Sequence, residues 1–215
     1  MLEIWASLGA ETCAVCGGGP VVGERGLAGR LCAGCHQDVP DRLWRLPVAP
    51  VGVDAAWSLG PYSGALGALV RAGKFRGDED TLRRLGAHLA AGLPPLTVDV
   101  VVAVPSSPWR RMWRGVNPAE LLAKPVASAL RVPEARPLAR RRDSAQARLG
   151  HAARAANVRG AYEAIAGVEG VVLLVDDVVT TGSTAASCAW ALREAGARSV
   201  LLLTVAASSG SIARA

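Results

Sequence analysis

The chain has 215 residues, of which 51% belong to the AVILMFWYC set and 20% are charged. That balance fits a globular domain with a small appendage and excludes a disordered chain, which is poor in aliphatics. The longest apolar runs, residues 100–104 and 171–175, fall far short of the ~20 residues that span a bilayer, so no membrane insertion is expected. With 24 Lys and Arg against 18 Asp and Glu the formal charge is +6, which points to an anionic partner without choosing among nucleic acid, acidic lipid and phosphorylated metabolite.

Residues 1–10 contain Glu3 and no Lys or Arg, so the basic start of a signal peptide is missing and the expected compartment is cytoplasmic, where thiols stay reduced. Residues 11–36 are rich in Gly and Cys, and residues 42–50, with Trp44, Pro47 and Pro50, read as a connector. Beyond it, β-branched runs alternate with helical stretches. Strands are expected at 51–57, 98–104, 171–175 and 200–205. Helices are expected at 64–71, at 81–91 (Leu82, Leu85 and Leu89 on one face), at 119–130 behind Pro118, and at 183–195 up to Gly196. Strands separated by such helices imply βαβ units, a parallel sheet and a ligand site at the carboxyl ends of the strands. The chain therefore divides into a ribbon and connector at 1–50, an α/β domain at 51–207 and a tail at 208–215.

Cys13-x2-Cys16 and Cys32-x2-Cys35 are separated by 15 residues. Two such knuckles build a tetrahedral S4 site with a short ribbon between them, and Gly17 and Gly34 permit the turns that aim amides at the sulfurs. Zinc suits the ligands, and iron suits the same set. A closed four-ligand site has no open position, so the metal is structural; two disulfides or four free thiols are the alternatives. His36 reads as a neighbour of the site, and Cys188, inside a predicted helix, as a small buried hydrophobe.

The apolar strand at 171–175 runs into Asp176, Asp177, Val178, Val179, Thr180, Thr181, Gly182, Ser183 and Thr184, followed by a helix. Paired carboxylates suit hydrogen bonds from vicinal hydroxyls. A run of hydroxyls and amides at a helix N-terminus is an anion cradle. Together they describe a pocket for a ribose 5-phosphate. The segment resembles the 5-phosphoribosyl-1-pyrophosphate (PRPP) motif of the type I phosphoribosyltransferases. The resemblance implies that Asp176 and Asp177 hold the ribose and that Thr180, Thr181, Gly182, Ser183 and Thr184 hold the 5-phosphate.

Other segments fit the same family. Lys74-Phe75-Arg76-Gly77-Asp78 looks like its pyrophosphate loop, with Lys74 and Arg76 as the cations. Residues 101–106 end in Val-Pro-Ser and lead to Arg114-Gly115-Val116-Asn117, which resembles the Val-Pro strand end and Arg-Gly-Phe-Asn-Gln turn of the ComF-type competence proteins; Pro118 stands where Gln is usual. Arg140-Arg141-Arg142, with Gln146, Arg154 and Asn157 beyond, matches a stretch that is a mobile lid in this family. Arg114 and Arg140 join Lys74 and Arg76 as expected pyrophosphate ligands. The zinc ribbon joined to a phosphoribosyltransferase domain narrows the resemblance to the ComF-like branch.

Two functions follow from the resemblance. One is transfer of a phosphoribosyl group from PRPP to a nitrogen acceptor, with Mg²⁺ on the pyrophosphate. The other is a catalytically silent accessory protein of DNA uptake that binds PRPP, single-stranded DNA or a DNA-processing partner protein. Trp109 and Trp113 flank the basic turn, and stacking of bases is one use for them. Residues 105–159 hold 12 basic and 3 acidic residues, so the positive charge gathers in the segments expected to frame the phosphate pocket.

Overall fold

The computed structural model describes residues 12–23, 26–107, 115–141 and 160–208. Its strands are β1 (Trp44–Arg45), β2 (Ala55–Pro61), β3 (Val100–Ala103), β4 (Glu134–Ala135), β5 (Leu138–Arg140), β6 (Tyr162–Ala164), β7 (Gly170–Val179) and β8 (Ala197–Ala207). The helices are α1 (Ala33–Gln37), α2 (Gly64–Phe75), α3 (Glu79–Ala91), α4 (Pro118–Leu130) and α5 (Ser183–Glu194). Six strands form a sheet in the order β1-β2-β8-β7-β3-β4, and β5 pairs with β6 apart from it. Every neighbour in the large sheet is parallel except β1 on β2. This is the α/β class with a parallel sheet that the spacing implies.

The centre of the sheet is apolar on both faces, as parallel strands covered by helices must be. Val172, Leu173, Leu174 and Val175 of β7 are fully buried, as are Val101 and Val102 of β3. The chain crosses the sheet from β2 to β3 and on to β4 in one direction, and from β7 to β8 in the other. Right-handed crossovers then set α2, α3 and α4 on one face and α5 on the opposite face. In keeping with this, α3 packs along α4, while α5 carries the β5–β6 pair.

Local chemistry sets the ends of these elements. The Asp78 side chain caps α3 by accepting from Thr81 N, and Asn117 caps α4 by accepting from Ala119 N with Pro118 in the first turn. Gly77 takes φ 68° between α2 and α3, a turn that a side chain would strain. Residues 51–54, expected in a strand, form a turn closed by Val53 N on Pro50 O, and the strand starts at Ala55. The connector contains the short antiparallel strand β1, which no apolar run announces.

The cysteine-rich segment is packed onto this core. Leu27 and Leu31 are buried in the same cluster as Leu82, Leu85 and Leu89 of α3. Arg84 donates to Gly26 O at 2.7 Å, and a ring nitrogen of His88 lies 2.9 Å from Pro40 O. Among the described residues no helix is long and apolar enough to cross a membrane.

Candidate metal centre and ligand cleft

The four knuckle cysteines converge. The Sγ atoms of Cys13, Cys16, Cys32 and Cys35 all lie within 4.8 Å of one another, and Cys16 and Cys32 are 3.7 Å apart. Four thiolates about 2.3 Å from a shared ion stand about 3.8 Å apart, whereas a disulfide requires about 2.0 Å, so the set fits a tetrahedral metal ion and no disulfide. Both knuckles are turns: Gly17 N donates to Cys13 O and His36 N to Cys32 O, each at 2.9 Å. Crowding separates the thiols. Burial and hydrogen bonds from Cys32 and Cys13 push Cys35 well up, while Cys13, despite burial, is brought down to about 6 by the amides of Cys16, Cys32 and Val15. A bound cation would draw the protons from all four.

The second site lies at the carboxyl ends of β3 and β7, where the chain's connections diverge to opposite sides of the sheet, the usual place for a ligand in open α/β folds. It is a cleft of about 380 Å³ lined by Lys74, Pro105, Ser106, Ser107, Arg140, Tyr162, Asp176, Asp177, Thr180 and Thr184 among others. A hollow of about 510 Å³ on the far side of the Thr181–Gly182 turn is walled by Leu46, Val48, Ala49, Pro50 and Val51 and offers neither carboxylate nor cation.

The two acids belong to β7 and do not follow it, since the strand runs on to Val179 with Asp176 opposite Thr204 of β8. Asp177 is buried and meets Lys74, with Nζ 2.7 Å from Oδ1. Asp176 turns its Oδ1 onto Asp177 N at 2.8 Å. Its carboxyl is pushed up to about 8 by burial and by the Asp177 charge, against the pull of that amide and Lys74. Beyond the strand, Gly182 takes φ 76° at the start of α5, and a Cβ there would meet Pro50 at 3.0 Å. The Thr181 and Ser183 hydroxyls are 2.8 Å apart, and the turn encloses a small hollow of about 30 Å³ bounded by Asp176 and Thr184.

Lys74 sits in the last turn of α2 rather than in a loop, and Arg76 points to solvent outside the cleft lining. Arg140, at the end of β5, lines the cleft with its guanidinium 6.0 Å from the Tyr162 ring centroid. Arg141 pairs with Glu163 at 3.0 Å. Arg114, Trp109 and Trp113, and the expected lid from Arg142 through Asn157, lie outside the described residues. Sequence reasoning assigned no role in the cleft to three contributors. Tyr162 donates to Pro105 O at 3.2 Å and is pushed up to about 12, chiefly by burial. Ser106 keeps a buried hydroxyl beside the cleft that finds no hydrogen-bond partner among the described residues. Asn117 ties α4 to the end of β3 by donating to Val104 O at 3.0 Å. The Val-Pro-Ser strand end was the available signal for Ser106.

These features define a parallel-sheet α/β protein with a four-cysteine cluster that fits a metal ion and a cleft of carboxyl groups, hydroxyls and cations at its topological switch point. Its motifs resemble those of the ComF-type proteins of the type I phosphoribosyltransferase superfamily. A curated relative, the DNA utilization protein YhgH of Salmonella typhi, is 39% identical over 121 residues, 54% of this chain and 52% of the relative. The match thus spans about half the length of that relative. No protein-family model matches the chain. Among solved structures, the glutamine PRPP amidotransferase of B. subtilis in complex with ADP and GMP is 28% identical with a TM-score of 0.45, covering 59% of this chain and 26% of that one. The orotate phosphoribosyltransferase of Aeropyrum pernix is 19% identical with a TM-score of 0.38, covering 60% of each chain.

Proposed function

We propose that the cleft binds PRPP together with Mg²⁺ and that the four-cysteine centre holds a structural zinc ion. The observation that carries the reading is the meeting of Asp176, Asp177, Lys74 and the start of α5 around one cleft. In this reading Asp176 and Asp177 accept hydrogen bonds from the ribose hydroxyls, and residues 180–184 hold the 5-phosphate at the helix N-terminus. Lys74 and Arg140 face the pyrophosphate. Arg76 is not part of the lining, and Arg114 remains an expectation. Once ionised, the two carboxyl groups are hard oxygen donors of the kind Mg²⁺ takes beside phosphate oxygens; the ion would draw off the proton that Asp176 otherwise holds and neutralise charge on the diphosphate. Phosphoribosyl transfer would break the bond from C1 to pyrophosphate and form one from C1 to an acceptor nitrogen. Such a step needs positioning and charge stabilisation more than a strong base, and this cleft is equipped for that.

Calorimetric titration with PRPP and Mg²⁺ tests the reading. The wild type is expected to bind, and Asp176→Asn/Asp177→Asn to bind at least tenfold more weakly; equal affinity would reject the site. Pyrophosphate release across a panel of nitrogen acceptors then separates an enzyme from a binding protein. The name of the Salmonella relative favours a second reading, an accessory protein that binds single-stranded DNA. Salt-sensitive DNA binding that survives the double substitution would support it.

A further inference from the structure

The metal ribbon and the cleft are joined by one side chain. Arg30, two residues before Cys32, extends from the ribbon to the α2–α3 corner. Its guanidinium donates to Asp78 Oδ2 at 2.5 Å and to Thr81 Oγ1 at 3.2 Å. Its carbonyl accepts from Ala14 N, beside Cys13, at 2.8 Å, so the backbone at Arg30 is bonded to the first knuckle as well as adjacent to the second. Asp78 is fixed in turn. Although burial opposes it, the amide and hydroxyl of Thr81, together with Arg30, hold its carboxyl below the ordinary range. Asp78 N and Arg76 N both donate to Ala72 O, closing the last turn of α2. That turn carries Lys74, whose ammonium lies 2.7 Å from Asp177 in the cleft.

We propose that Arg30 is a positioning residue through which the metal-loaded ribbon sets the place of Lys74 in the cleft. The four thiolates fix Cys13 and Cys32, these fix Arg30, and its fork fixes the corner from which Lys74 projects. A lysine would meet Asp78 with one point charge where the guanidinium spans both Asp78 and Thr81. Loss of the metal or of the fork frees the corner and weakens the hold on Asp177 and on an anionic ligand. The last consequence rests on the proposed PRPP site; the coupling itself does not.

The chain has two lysines, Lys74 and Lys124, and Lys124 is exposed on α4. Acetylation of the full-length, metal-loaded protein, followed by mass spectrometry, therefore reads Lys74 against an internal reference. In Arg30→Met, with metal content unchanged, the Lys74:Lys124 labelling ratio is expected to rise at least threefold. Stripping the wild type with a chelator should give the same rise, and stripping the variant no further one. Arg30→Lys should fall between. Arg84→Met, which loses the bond to Gly26 O but leaves the Asp78 corner intact, should keep the wild-type ratio. Should Arg30→Met fail to fold, as judged by near-ultraviolet circular dichroism, Asp78→Asn takes its place, since Asn still caps α3. A ratio indifferent to Arg30 and to metal overturns the proposal, as does an equal rise in Arg84→Met. If the wild type binds PRPP, Arg30→Met should bind it about tenfold more weakly. If the wild type does not bind it, the PRPP reading fails while the labelling ratio still decides the coupling.

Discussion

Asp176 stands in an environment far from that of a free side chain. It keeps its proton up to about pH 8, because burial and the neighbouring Asp177 charge both disfavour the carboxylate. An unfolded chain releases the same proton near pH ~4. Between those values the folded state holds the extra proton, so this group's contribution to stability is complete below about pH 4 and is lost as pH rises through about 8. Asp176→Asn is neutral throughout and removes that slope. Urea denaturation should show the variant close to wild type at pH ~4.5 and more stable at pH ~8.5, by on the order of 2 kcal/mol once solvent screening is allowed for. Parallel profiles for the two proteins would place the proton elsewhere. A carboxyl held within β7 against this tendency makes the position a candidate for ligand chemistry.

At the scale of the elements, α3 and α4 pack backbone against backbone at Gly86. A Cβ on Gly86 would lie 2.5 Å from Leu122 O and 3.0 Å from its Cα, both backbone atoms. A Cβ on Gly73 would first meet the Leu82 side chain, which, although buried, can shift further than a helix backbone. Gly86→Ala is therefore expected to destabilise by about 2–3 kcal/mol in urea titration, and Gly73→Ala by about 1 kcal/mol, since overpacking costs most where the neighbour cannot yield. Equal losses would mean that the two helices separate freely. The contrast also shows what the sequence could reveal. Period and caps located α3, β3, β7 and α5, because a face of Leu82, Leu85 and Leu89, or a run such as Val172 to Val175, carries its own signal. The strands β1, β4 and β5 have two or three residues each, too few for any period, and are formed by their neighbours. The cleft was legible in the same measure. Asp176 to Thr184 announce themselves as a contiguous motif, whereas Tyr162 and Ser106 arrive there only through folding. Lys74 was found as a cation, but its pairing with Asp177 joins residues about a hundred positions apart, which no local pattern encodes.

At the scale of the whole molecule, the described cations of residues 105–159 divide between the cleft and pairs with acidic side chains. Arg136 reaches Glu120 at 3.0 Å and Arg141 reaches Glu163 at 3.0 Å. Among the described residues of that stretch, Arg140 is the cation lining the cleft. The opposite end of the chain matters more than its length implies. The cysteine-rich segment buries Leu27 and Leu31 in the cluster that contains Leu82 and Leu85, and Arg30 and Arg84 bond it to α3 and its cap. Without an ion, the knuckles lose the metal–sulfur bonds that tie them together, so the segment should leave α3 and expose both leucines. Each buried leucine contributes about 1.5–3 kcal/mol, so removal of the metal should cost the whole protein about 3–6 kcal/mol. In a chain of this size about 1 kcal/mol shifts the melting point by roughly 2–4 °C. Scanning calorimetry of the chelator-treated protein is thus expected to show one cooperative transition, lowered by on the order of 10 °C and restored by added zinc. A main transition that stays in place while a small separate one disappears would mean that the ribbon is an independent unit hung on the sheet domain. A common core shared between Leu31 and α3 argues for the single transition, because the same leucines cannot be lost from one part without weakening the other.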